Sequence, residues 1–258
     1  MKREELEKVI ETNILNIILS ISKINEEIGM STGMIIGSIA KNLFKKEASD
    51  IDLLFLYEKQ MNEDELMEIY KIKNFEISKY NELFSIKGFA NQINICYKKR
   101  NKFIKEIETT IKCENYESIG RSWVIGGEIL DVLLSDISSA IILFNTDKSI
   151  DLLIRNLQNN DDFFNLMYKR CKNELEEKLY LCKKAIDDKN YLLVNIAFGE
   201  IVVLLSRIYY ARENKYNPGF KHSLKNILFL KKYNLDKFIK NNYDIKMIEE
   251  YIRDLNYR

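Results

Sequence analysis

The chain has 258 residues, 46% of them hydrophobic and 31% charged, which supplies a packed core and excludes a disordered chain. Its 40 Lys and Arg against 39 Asp and Glu leave a net charge of +1, which argues against a protein that grips nucleic acid by its phosphates. With 1 Pro and 9 Gly, a sandwich of many short strands is disfavoured and long helices are favoured.

The opening MKREELEKVIE is charged and helical in pattern, unlike an export signal. Glu4 to Ile28 carries Leu6, Val9, Ile10, Ile14, Ile17, Ile18 and Ile21 at three- and four-residue spacing, which predicts an amphipathic helix. Thr32 to Ser38 reads as a short buried strand ending in a Gly-Ser turn, Ile39 to Lys46 as a short helix, and Ile51 to Tyr57 as an apolar strand. A helix from Glu63 to Tyr70 follows, then strands at Ile72 to Ser78 and Gln92 to Tyr97, then a helix from Lys98 to Ile111. Residues Ser122 to Phe144 fit strand or helix, and the domain boundary is placed just after them, near Asn145.

Beyond Ser149 the pattern is helical: 149–157, 161–188, 190–213, 221–231 and 245–255, with Asn214 to Gly219 as the one strong loop. The apolar stretch Tyr191 to Ala211 contains Glu200 and Arg207, so it reads as a buried helix and not as a membrane span. Cys96, Cys113, Cys171 and Cys182 form no C-x-x-C pair, which predicts reduced core thiols in a cytoplasmic protein. The expected fold is α+β: a small mixed β-sheet domain over 1–145 and an α-helical bundle over 146–258.

Chemistry concentrates between Gly37 and Leu56. Asp50 and Asp52 are two apart, so in an extended segment they point to one face, at the start of a run too apolar to be solvated. Adjacent carboxylates repel and raise a pKa unless a cation lies between them. A hard divalent ion such as Mg²⁺, held by one or two carboxylates and phosphate oxygens, resolves that conflict. Gly37 and Ser38 offer backbone N–H groups and a hydroxyl where anions are favoured. These are the parts required for phosphoryl or nucleotidyl transfer.

Gly37-Ser38, a spacer and Asp50-Ile51-Asp52 between hydrophobic residues resemble the signature of the DNA polymerase β-like nucleotidyltransferase superfamily, over about residues 33 to 57. The resemblance implies a nucleoside triphosphate, ATP or another, with its phosphates on Gly37 and Ser38, flanked by Ser49, and Mg²⁺ on Asp50 and Asp52. An acceptor hydroxyl attacks the α-phosphorus and pyrophosphate leaves. The loop Asn214-Lys215-Tyr216-Asn217-Pro218-Gly219-Phe220-Lys221 is similar to one in the helical domains of aminoglycoside and lincosamide nucleotidyltransferases. That likeness implies a small-molecule acceptor of the antibiotic type, Lys221 on the triphosphate, and Glu200 as the base, its pKa raised by apolar neighbours.

The superfamily places a third carboxylate on a neighbouring strand, and the best-placed strand here carries Asn94 instead. Glu76 and Asp131 are the alternatives. Should none reach the metal, the fold becomes a nucleotide-binding regulatory module with impaired catalysis; modification of a protein or RNA is a further alternative. His222 reads as a loop or substrate-contact residue and Trp123 as core. A homodimer is left open.

Overall fold

The computed structural model describes residues 6, 10–45, 49–59, 62–73, 75–80, 83–86, 92–112, 130–146, 148–219, 246, 249, 250 and 253. Lys221, His222, Trp123 and the expected helix at 221–231 lie outside them. Of the last expected helix, residues 246, 249, 250 and 253 are described and helical.

The fold is α+β, with six strands in one mixed sheet and eight helices described along their whole length. Helix α1 (Thr12–Glu27) buries Ile14, Ile18 and Ile21 on the face that its spacing foretold. It stops at Gly29, whose φ of +87° is the left-handed geometry glycine adopts freely, while the Met30 N–H caps the Asn25 carbonyl at 3.0 Å. Strand β1 (Thr32–Ile36) runs into a single helical turn, α2 (Gly37–Ala40), and strand β2 (Ile51–Tyr57) follows. The helix expected up to Lys46 ends early because Asn42 takes a φ of +56°. Helix α3 (Glu63–Ile72) starts where the Asn62 side chain accepts from the Asp64 N–H at 3.1 Å, with Glu63, Asp64 and Glu65 in its first turn.

Two expectations are corrected after this point. Ile72 closes α3 instead of opening a strand; β3 (Ile77–Tyr80) and an unforeseen β4 (Leu83–Ile86) form a hairpin ahead of β5 (Ile93–Lys99). Both hairpin strands have four residues, too short for a clear alternation. Past α4 (Arg100–Ile111), the described part of the ambiguous stretch, from residue 130 on, is helix α5 (Leu130–Ser138) and strand β6 (Ile141–Asn145). The sheet order is β3-β4-β5-β2-β1-β6, with β2 and β5 parallel and the other neighbours antiparallel.

Alternation along the strands divides the sheet. Ile35, Ile51, Leu53, Phe55, Ile93, Ile95 and Tyr97 point to one face and join the α1 and α3 side chains in one core cluster. Asp52, Leu54 and Asn94 have the opposite parity. The register pairs Asp52 with Asn94 across β2 and β5, and Ile36 with Asp52 across β1 and β2.

The chain separates into two compact units, 1–115 with 133–159, and 116–132 with 160–258. Helix α6 (Lys148–Gln158) belongs to the first. In the second, α7 (Asp161–Asp187) and α8 (Tyr191–Arg212) pack against each other. Each is N-capped by an asparagine side chain, Asn160 to the Phe163 N–H and Asn190 to the Leu193 N–H. Helix α8 is long and apolar enough to cross a membrane, yet most of it is buried within the unit, Arg207 included at 5% exposure. Tyr216, from the proline loop, packs its ring on Phe163 and Phe164.

Candidate active site

The candidate site lies in the first unit, on the sheet face away from the core cluster, at the start of β2. Asp50 immediately precedes the strand and is exposed; Asp52, inside it, is partly buried. Burial is the main reason the Asp52 carboxyl is held above its ordinary range. The negative charges of Asp136 and Asp50 push it further up, while the Asn94 hydrogen bond and the Lys41 charge act against this. The two aspartates therefore share one electrostatic environment, as their spacing predicts, in conflict with burial and with one another.

Gly37 fits against this pair. Its φ is +69°, and a Cβ built on it would stand 2.4 Å from Asp52 Oδ2. A side chain there is excluded twice over, by the backbone conformation and by the carboxylate. Next in the chain, the Ser38 hydroxyl is buried and has no hydrogen-bond partner. A buried hydroxyl without a partner is costly and uncommon, and such groups gather at binding sites. The Ser49 hydroxyl, by contrast, accepts from the Lys45 N–H at 3.0 Å, just ahead of Asp50.

Asn94 stands beside Asp52, but with the wrong atom forward for a metal ligand. Its amide nitrogen donates to Asp52 Oδ1 at 3.2 Å. Its oxygen is turned away and accepts from Gln92 Nε2 at 2.7 Å and from Ser85 Oγ at 3.1 Å. An ionised carboxylate only accepts, so the amide donor must face it. Asn94 orients Asp52; it presents no oxygen to an ion between the aspartates.

The other candidates disperse. Glu76 is exposed and precedes β3, three strands from β2 and so about 14 Å away across the sheet, which excludes it from the pair. Asp131 lies in α5, and its side chain is outside the described residues. Glu200 lacks the apolar surroundings expected of it: it is 38% exposed and paired with Lys178 at 2.7 Å, within the second unit. Among the described residues no group of three His, Cys, Asp or Glu could hold a metal ion. A pocket of about 580 Å³ opens at the far end of β2, lined by Glu26, Met30, Tyr57, Glu58 and Glu65 among others. Five residues of extended chain, about 17 Å, separate it from Asp52.

Two site residues escaped the sequence reading. Lys41, one helical turn beyond Gly37, makes an ion pair with Asp136 at 2.7 Å, and the Gly37 N–H donates to Asp136 at 3.2 Å. The available signal was slight: one of two acids on an apolar helix, in the stretch that fits strand or helix.

Residues 19–111 match the model of a family described as "Nucleotidyltransferase domain". The matched stretch contains Gly37, Ser38, Asp50, Asp52 and Asn94. No curated protein matches the chain. One solved structure similar to it is the nucleotidyltransferase-like protein from Exiguobacterium sibiricum, 9% identical, with a TM-score of 0.38 over 76% of this chain. The match spans 56% of that protein's own chain.

Proposed function

We propose that the protein is a Mg²⁺-dependent nucleotidyltransferase that moves a nucleoside monophosphate, AMP from ATP, to a hydroxyl of a small molecule. One observation carries the reading: Asp52 packs against a side-chain-free Gly37, and beside it lies a buried Ser38 hydroxyl with no partner. The donor set also fits a hard divalent ion, because two crowded carboxylates of one environment are neutralised by it. Such an ion, when bound, offsets the negative charge of the carboxylates and of the phosphates.

The chain's own residues then have defined tasks. Asp50 and Asp52 hold the cation, and Asn94 fixes the Asp52 carboxylate through its amide. Gly37, by lacking a side chain, lets phosphate approach the backbone, and Ser38 donates its hydroxyl to a phosphate oxygen. The acceptor oxygen forms the new bond to the α-phosphorus as the α–β bridging bond breaks and pyrophosphate departs. The acceptor proton needs a general base to take it as the new bond forms. An aminoglycoside- or lincosamide-type acceptor is the narrower proposal, supported by the likeness of the loop around Pro218.

The test is pyrophosphate release from labelled ATP with Mg²⁺ and a panel of amino-sugar and lincosamide compounds. Release that disappears in Asp50→Ala supports the proposal. Asn94 favours a second reading, since it stands where a third carboxylate is expected and offers a donor. A nucleotide-binding module with impaired transfer would bind ATP and release no pyrophosphate across the panel.

A further inference from the structure

The groups assigned to the triphosphate are not idle. Asp136 Oδ1 accepts from the Gly37 N–H at 3.2 Å and lies 2.7 Å from Lys41 Nζ. One oxygen of a carboxylate thus takes a backbone donor and an ammonium from a single turn of chain, as a phosphate oxygen would. The Lys41 side chain is only 7% exposed, and a cation so enclosed needs an anion beside it. Asp136 is 16% exposed, and the next residue after Gly37 is Ser38, with its partnerless hydroxyl. The site is therefore built for an anion, and part of it is occupied from within the chain.

We infer that Asp136 is an internal stand-in for a nucleotide phosphate, displaced on binding, and that Lys41 passes from its carboxylate to the incoming phosphate group. The inference rests on the nucleotidyl-transfer reading for the identity of the ligand. Two consequences follow from the charges. A triphosphate and Asp136 cannot hold the same donors, so removing the Asp136 charge strengthens nucleotide binding. Lys41 supplies attraction to the phosphates, so its loss weakens binding. A role for Asp136 as a third metal ligand predicts something different: weaker divalent-ion binding in its absence and unchanged binding of nucleotide without metal.

The experiment is calorimetric titration of the full chain in EDTA with ATP and with inorganic tripolyphosphate. Asp136→Asn is expected to bind both about tenfold tighter than the unaltered protein, the scale of one charge-assisted hydrogen bond. Lys41→Gln binds both more weakly, and Lys41→Gln with Asp136→Asn loses most of the gain. Asp136→Ser removes the same charge, so the gain must appear in whichever Asp136 variant melts cooperatively. If neither folds, the contact is structural and the inference is overturned. Unchanged or weaker metal-free binding in a folded variant also overturns it, as does a loss confined to Mn²⁺ binding. Transfer activity separates the two proposals. An unaltered protein that transfers label, with an Asp136→Asn variant of unchanged affinity, sinks this inference alone. A variant that gains tripolyphosphate binding in a chain that transfers nothing upholds it and sinks the transfer reading. Absence of metal-free binding in every form overturns this inference, and absence of pyrophosphate release with Mg²⁺ overturns the transfer reading.

Discussion

Strands β2 and β5 carry polar groups on both faces, and the two sets are built to opposite ends. On the core face, Asn25 Nδ2 donates to the Tyr70 hydroxyl at 2.7 Å, and the hydroxyls of Tyr70 and Tyr97 lie 3.0 Å apart. Tyr97 also stacks on Phe55, ring centroids 5.7 Å apart. On the other face, Asp52 and Asn94 occupy the same two strands three residues earlier, beside Asp50, Asp136 and a Ser38 hydroxyl with no partner. The tyrosine set links uncharged donors and acceptors inside the core and helps fix α1 and α3 on the sheet. The aspartate set crowds like charges, which the tyrosine set does not; each set leaves one buried polar atom without a partner, Asn25 Oδ1 in the core and Ser38 Oγ at the site. Natural proteins accept such local conflict where a ligand resolves it.

The comparison breaks most visibly at Asp52. Asp52→Asn keeps the shape and can still accept from Asn94, but removes the charge that the proposal assigns to cation binding. Nucleotidyl transfer is expected to fall by about a thousandfold or more. Stability moves the other way, up by about 1 kcal/mol at neutral pH, as measured by denaturant titration. The sign follows from the raised Asp52 pKa. A carboxyl that titrates higher folded than unfolded contributes most below its unfolded value of 3.8, and that contribution is lost as pH rises through the folded value. Mg²⁺ should therefore raise the melting temperature of the unaltered protein at neutral pH and leave Asp52→Asn unmoved. Equal Mg²⁺ shifts in both would deny the ion its place at Asp52.

Gly37→Ala tests the close approach itself. A φ of +69° and a Cβ aimed at Asp52 Oδ2 predict a loss of about 2 kcal/mol by denaturant titration, together with loss of nucleotide binding. Tyr70→Phe probes the uncharged core face, where deletion of one hydroxyl should cost about 1–2 kcal/mol with transfer activity intact. Burial holds the Tyr70 phenol up to about 12 against an ordinary 10.0, so its stabilising contribution is lost as pH rises from 10.0 to about 12. In Tyr70→Phe the alkaline unfolding limb should flatten, though not vanish, because Tyr97 is also held well above its ordinary value.

The smallest effect expected is at Asn94. Asn94→Asp places a further carboxylate in register with Asp52 and removes the amide that holds it. Without metal the variant should be less stable by about 1 kcal/mol, and its Mg²⁺ midpoint for transfer should fall. A metal requirement that does not change would show that the strand position opposite Asp52 plays no part in cation binding.

Much of this was legible in one dimension. The spacing of Ile14, Ile18 and Ile21 foretold α1, and the apolar run after Asp50 foretold β2, because helical and strand periods are local properties of the chain. The Gly-Ser turn was readable as well, since a left-handed φ and a close approach leave few residues to choose from. What the sequence could not supply was distance between elements. The β3–β4 hairpin was missed because four-residue strands carry little pattern, and with it went the position of Glu76, three strands from the site. Asn94 was placed on the right strand, but which of its two amide atoms faces Asp52 was decided by Gln92 and Ser85, brought there by pairing. Asp136 comes to Gly37 across 99 residues of chain, carried by a helix whose apolar flanks say only that it packs. Local pattern records which faces are buried. Only the folded sheet decides which charges meet, because electrostatic contact depends on separation in space and is indifferent to separation along the chain.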